Sequence, residues 1–161
     1  MWRALARLEN FIAGTALVVL SAVVLIGVIF RYVLNYPLSW TEETSLIAFA
    51  WLMFFGAAIC ARENGHVLID LIAPRPGSGF HHFSEALAAA VAAIVSAVLV
   101  WVSWRYTVGA APMVTPIFRL SSAAYNAAAP VGFLLITVHM IRLCLLSIMG
   151  RETTAQPEEG I

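Results

Sequence analysis

The chain has 161 residues, of which 61% are apolar and only 11% charged, and its mean hydropathy is +0.89. Soluble domains run about 45–50% apolar with about a quarter of residues charged, so this composition excludes a disordered chain, a nucleic-acid binder and an ordinary cytosolic domain. Nine arginines, with no lysine, balance nine acidic residues, and the length holds roughly four or five membrane spans of about 20 residues, few for a self-sufficient secondary transporter.

The first uncharged apolar run is Phe11 to Phe30. At about 1.5 Å per residue it spans about 30 Å, the hydrocarbon thickness. Arg3 and Arg7 precede it, as in a secretory signal, but the run is longer than the roughly 7–15 residues of a signal core, so a retained first span is expected. It ends at the interfacial pair Arg31-Tyr32. After a short connection, Ser39-Trp40-Thr41-Glu42 reads as a capping box. The Ser39 hydroxyl accepts from the Glu42 N–H while the Glu42 side chain reaches back, and Glu42 and Glu43 suit the positive end of the helix dipole. The segment from Arg62 to Glu85 is the longest polar stretch, broken by Pro74, Pro76, Gly77 and Gly79. Its apolar patches, Val67-Leu68-Ile69 and Leu71-Ile72, suit a short interfacial element.

The third span is crowded with alanine. Ala89, Ala93 and Ala97 recur every four residues, and small residues let helices approach closely in a bilayer, so this helix is expected to pack centrally. Trp101, Trp104 and Tyr106 mark its far interface. The fourth span starts near Ser121 or Ser122, and Pro130 within it predicts a kink. The expected fold is therefore an all-α integral membrane protein: a single domain over 1–150, with four transmembrane helices at about 11–30, 40–61, 85–105 and 122–142 and a short interfacial segment between helices 2 and 3. A disordered tail follows over 151–161. Six arginines (Arg3, Arg7, Arg62, Arg75, Arg142, Arg151) fall on the side of the termini and three (Arg31, Arg105, Arg119) on the other, so the positive-inside rule favours cytoplasmic termini.

The chemistry expected inside the spans is sparse. Helices 1 to 3 carry no ionisable residue other than cysteine in their apolar cores, and helix 4 carries only His139, near its end. A coupled transporter needs ionisable or discontinuous elements at mid-bilayer, and one histidine does not support a bis-histidine haem. Cys60 and Cys144 sit in apolar stretches and read as small hydrophobes. Glu63-x-x-His66 has the spacing of a metal-ligand pair but occurs once, and His81, His82 and Glu85 fit a solvated loop face better than a metal site. His66 and Asp70 stand one helical turn apart, a spacing that suits a structural hydrogen bond. Arg31 and the pair Glu42/Glu43 flank one short turn and should lie at the same depth, pinning helix 1 to helix 2.

Read in order, Arg31-Tyr32, Asn35-Tyr36-Pro37-Leu38-Ser39-Trp40-Thr41-Glu42-Glu43, Trp51, Phe55-Gly56-Ala57-Ala58, Arg62-Glu63-Asn64-Gly65-His66 and Asp70 form a spaced polar and aromatic pattern. It resembles the small membrane subunit, of DctQ type, of tripartite ATP-independent periplasmic (TRAP) transporters. Pro116, Tyr125 and Pro130-Val131-Gly132 extend the resemblance into the second half. The resemblance implies a non-catalytic subunit of the bacterial inner membrane. Its partners would be a large permease subunit, a periplasmic solute-binding protein and membrane lipid, with no nucleic acid. The complex would import an organic acid, such as a dicarboxylate or sialic acid, on a sodium gradient. No cofactor or metal is implied. Arg31, Trp40, Glu42, Glu43, Trp51, Gly56, Arg62, His66, Asp70, Ala89, Ala93, Ala97 and Pro130 become the candidates for helix anchoring or subunit contact. The competing readings are a membrane anchor of a respiratory or other enzyme complex, motivated by His139 and the loop histidines, and a self-assembling small exporter.

Overall fold

The computed structural model describes residues 2–63 and 79–148. It contains α1 (Trp2–Tyr32), α2 (Ser39–Glu63), α3 (Gly79–Ala110), the single turn α4 (Ala123–Asn126) and α5 (Ala128–Ile148). Four segments, with α4 and α5 counted as one, are long and apolar enough to cross a membrane. The expected all-α architecture with four spans is therefore present, and the one pairing of β type among the described residues is an isolated bridge between Val114 and Ser121. The expected interfacial segment and the C-terminal tail lie outside the described residues.

Helix ends follow local chemistry. After α1, Asn35 takes the left-handed conformation, φ 50°, and the Tyr36 N–H donates back to the Phe30 carbonyl at 3.0 Å. The chain thus turns back on the last helical carbonyls, and asparagine tolerates the positive φ this needs. The capping box expected at α2 does not form. Ser39 is already helical, Glu42 turns away to Arg31 at 2.6 Å, and Thr41 instead donates its hydroxyl to the Leu38 carbonyl at 2.6 Å. A nearby guanidinium outcompetes a neutral backbone N–H for the carboxylate.

The fourth span breaks one turn before Pro130 rather than bending at it. Pro130 has no N–H to offer the Asn126 carbonyl, and its ring crowds that carbonyl. The helix is interrupted at Ala127, and the released Asn126 carbonyl accepts from the Thr107 hydroxyl of α3 at 3.2 Å.

Packing runs α1 on α2, α2 on α5, and α5 on α3. Among the described residues neither α1 nor α2 packs on α3, and the α1 backbone stays clear of α5. The helices thus form an open row, not a closed bundle, and α3 stands at one edge. The central position expected for α3 is corrected on this point. Its small-residue stripe is real but serves one neighbour: Ala89, Ala93 and Ser96 are buried, while Ala97 is exposed. A strict spacing of four drifts off a face whose period is 3.6, so the buried line moves to Ser96. There Ser96 accepts from the Thr137 hydroxyl of α5 at 2.9 Å.

The α2–α5 contact brings backbone close to backbone. A Cβ placed on Gly132 would lie 2.5 Å from Phe54 Cβ and 3.1 Å from the Phe54 carbonyl oxygen. Phe54 also meets Phe133 edge to face, with ring centroids 5.4 Å apart, a favoured aromatic geometry. Gly132→Ala should therefore cost about 1–3 kcal/mol by overpacking. Gly56→Ala, which meets open space on α2, should be neutral or slightly stabilising because alanine is the better helix former. Thermal unfolding of the purified chain in detergent checks the pair, and equal melting temperatures would contradict the close α2–α5 approach.

Candidate functional site

Two polar clusters stand at opposite ends of the helix row. At the N-terminal end of α1, Glu9 is 1% exposed. Its Oε2 receives Arg62 Nη1 of α2 at 2.7 Å, and its Oε1 lies 2.8 Å from His139 Nε2 of α5. Arg62 Nη2 also donates to Asn10 at 3.0 Å and to Glu63 at 2.9 Å. Trp2 lies against the His139 ring, 6.2 Å between centroids, and the Arg142 guanidinium stacks 4.5 Å above the Trp2 ring. One carboxylate thereby ties three helices.

At the other end, Glu43 of α2 is buried. Its carboxylate accepts the backbone N–H of Ile117 at 3.0 Å and that of Phe118 at 3.3 Å, both in the connection between α3 and α4. Hydrogen bonds to a charged group contribute about 1.5–3 kcal/mol each, so Glu43 holds this connection against α2. Within it, Thr115 and Leu120 exchange two bonds, 2.8 Å and 3.0 Å, and Arg119 takes a left-handed φ of 52°. The result is a tight hairpin.

The sequence-derived candidates divide sharply. Arg31 and Glu42 form the expected ion pair, but on the surface, with side chains 53% and 70% exposed. Glu43 does not join that pair; it turns to the hairpin. Arg62 pairs with Glu9. Ala89, Ala93 and Pro130 are buried inside the chain. Trp51 packs its ring 5.7 Å from Phe55 and lines an apolar groove between α1 and α2 with Thr15, Ala16, Thr44 and Ala48. Trp40 and Ala97 are exposed, and Gly56 is half-exposed. His66 and Asp70 lie outside the described residues, and the pair Glu63-x-x-His66 is therefore half outside them.

Sequence reasoning missed Glu9. The first span appeared to begin at Phe11, whereas α1 starts at Trp2 and carries Glu9 into the packed region. The available signal was Glu9 and Arg62 lying at the same end of adjacent antiparallel helices. His139, the candidate ligand of the respiratory-anchor reading, is engaged by Glu9.

Burial separates the two kinds of pair. Glu9→Ala strands Arg62 and His139 and should cost about 3–5 kcal/mol, the range for breaking a buried pair. Glu42→Ala removes an exposed pair and should cost less than about 1 kcal/mol. Unfolding followed by circular dichroism ranks the two, and equal losses would contradict the buried junction.

Comparison with known proteins fits this arrangement. The sequence profile described as "Tripartite ATP-independent periplasmic transporters, DctQ component" matches residues 20–149. A Haemophilus influenzae protein named as a TRAP transporter small permease is 36% identical over 76 residues, 45% of this chain and 47% of that protein. The C4-dicarboxylate TRAP transporter small permease protein DctQ of Vibrio cholerae is 23% identical over 99 residues, 62% of this chain and 43% of that protein. The sialic acid TRAP transporter permease protein SiaT of H. influenzae matches 66 residues at 27% identity, 41% of this chain and 11% of that much longer protein. The matched stretches thus span about half the length of the small-permease relatives. With a family match covering most of the chain, this protein belongs to the DctQ component family of TRAP transporters, as a small permease subunit.

Proposed function

We propose that this subunit acts as a rigid brace for a larger permease chain in the bacterial inner membrane, with both termini cytoplasmic. The larger chain moves an organic acid on a sodium gradient after a periplasmic solute-binding protein delivers it. The observation that carries this reading is how the buried charged groups are used. Glu9, Arg62 and His139 bind one another, and Glu43 binds backbone N–H groups. Each fastens helix to helix or helix to hairpin, and none lines the grooves along α1 and α2 or along α3 and α5. Moving cargo requires ionisable or unwound elements open to a binding site.

The open row supports a bracing role as well. A closed bundle consumes its own faces, whereas an edge helix such as α3 keeps one flank for a neighbour. The match of this chain to a short portion of SiaT is consistent with a unit that works joined to a larger permease. The relatives named for sialic acid and C4-dicarboxylate point to a carboxylated substrate class. Among the subunit-contact candidates, Arg31, Trp40, Glu42, Trp51, Gly56 and Ala97 keep accessible surface; the uncharged Trp40, Trp51, Gly56 and Ala97 are the contact set we favour. Arg62, Glu43, Ala89, Ala93 and Pro130 are better explained by contacts within the chain.

Affinity capture of the chain from native membranes should bring down a much larger polytopic protein. The purified chain alone in sodium-loaded vesicles should show no uptake of organic acids above protein-free vesicles. Sustained uptake by the chain alone would contradict the brace.

A further inference from the structure

The hairpin between α3 and α4 has two properties that do not belong together in water. Its outward side chains are large and apolar: Met113 is 64% exposed, Val114 62%, Ile117 41%, Phe118 45% and Leu120 47%. Yet the backbone N–H groups of Thr115, Ile117, Phe118, Leu120 and Ser122 all find partners within the chain. The Thr115 N–H goes to the Leu120 carbonyl, the Leu120 N–H to the Thr115 hydroxyl and the Ser122 N–H to the Met113 carbonyl. At the tip, the Ile117 and Phe118 N–H groups are met by the buried Glu43 carboxylate. Tip groups in water have no need of a buried carboxylate, because water serves them. A loop in a non-aqueous phase requires it, since each unsatisfied backbone group there costs several kcal/mol.

Depth agrees. Glu43 lies one turn into α2, level with the first residues of its uncharged run, so the tip it holds is drawn back toward the apolar zone. The exposed aromatics Trp104 and Tyr106 of α3 and Tyr32 and Tyr36 after α1 belong to the same end of the molecule, where such side chains mark a membrane–water boundary. The α3 helix continues to Ala110, beyond Trp104 and Tyr106, so the chain leaves above this belt and the hairpin folds back onto it. Exposed Arg119 stands beside Phe118 and Leu120, as a cation for the phosphate layer above an apolar wedge.

We propose that the hairpin 111–122 is a membrane wedge: Ile117 and Phe118 insert at the boundary of headgroups and acyl chains, and the Glu43 carboxylate makes that insertion affordable for the backbone. The occupant of its apolar surface is lipid of the same bilayer. This rests on the chain spanning a membrane and is independent of the brace reading.

The test replaces Phe118 with photoreactive benzoylphenylalanine in the full chain. Irradiation takes place in native membranes and in vesicles of phosphatidylethanolamine and phosphatidylglycerol, and adducts are identified by mass spectrometry. Val98, exposed in the middle of α3, carries the same residue as the lipid-facing control. The wedge predicts phospholipid adducts at position 118 with a yield within about twofold of position 98 in both settings. Adducts to another protein in native membranes would overturn it in favour of a covered protein interface. A background yield at 118 alongside lipid adducts at 98 would overturn it in favour of a water-exposed loop. Adding Glu43→Ala should lower the yield at 118 several-fold while leaving position 98 unchanged. An unchanged yield at 118 would remove Glu43 from the account.

Discussion

A single seam, α2 against α5, joins the two halves of this protein. On one side α1 packs on α2; on the other α3 packs on α5. The seam is held in three places along its length. Glu9 spans it at one end by receiving Arg62 from α2 and approaching His139 on α5. Gly132 lets the α5 backbone come against Phe54 in the middle. Glu43 reaches across to the hairpin at the far end. In a bilayer the hydrophobic effect does not drive helices together, because lipid tails are as apolar as leucine. Close packing and polar fasteners must supply the cohesion, and this joint carries both.

That economy bears on function. Buried ionised groups are costly in a membrane and usually mark a transport path. Here they are paired with one another or with backbone N–H groups, and they lie near the two ends of the helices rather than at mid-length. Along the α3–α5 contact a hydroxyl pair closes within the chain, Thr137 donating to Ser96. The outer helices keep wide apolar flanks. A molecule built this way is stiff across its seam and open at its edges, which suits a component that supports a moving neighbour.

Much of the fold was legible in the sequence because the bilayer imposes a simple length and polarity rule. The four spans, the end of α1 at Arg31-Tyr32, the Arg31–Glu42 pair and the small-residue face of α3 follow from composition and spacing. The family was legible too, from the spaced pattern between Arg31 and Asp70. What the sequence did not disclose depends on which helix meets which. Glu9 lies 53 residues from Arg62 and 130 from His139, and no local pattern joins them. Glu42 and Glu43 look alike in sequence, yet they face opposite ways on α2, so one pairs on the surface and the other is buried under the hairpin. The capping box failed for the same reason: a partner from another helix was stronger than the local one. Pro130 was read as a kink, but its effect falls one turn earlier, where its ring meets the Asn126 carbonyl.

The open row is the claim on which the rest turns, and one distance tests it. Genetically encoded spin labels at Val18 on α1 and Val98 on α3, both exposed, report the separation of the two edge helices in lipid nanodiscs. Three successive helix packings of about 8–10 Å place them roughly 25–30 Å apart. A distribution centred there supports the row. A distribution centred near the 8–10 Å of directly packed helices, about one interaxial spacing, would mean that the chain closes into a bundle and would contradict the account.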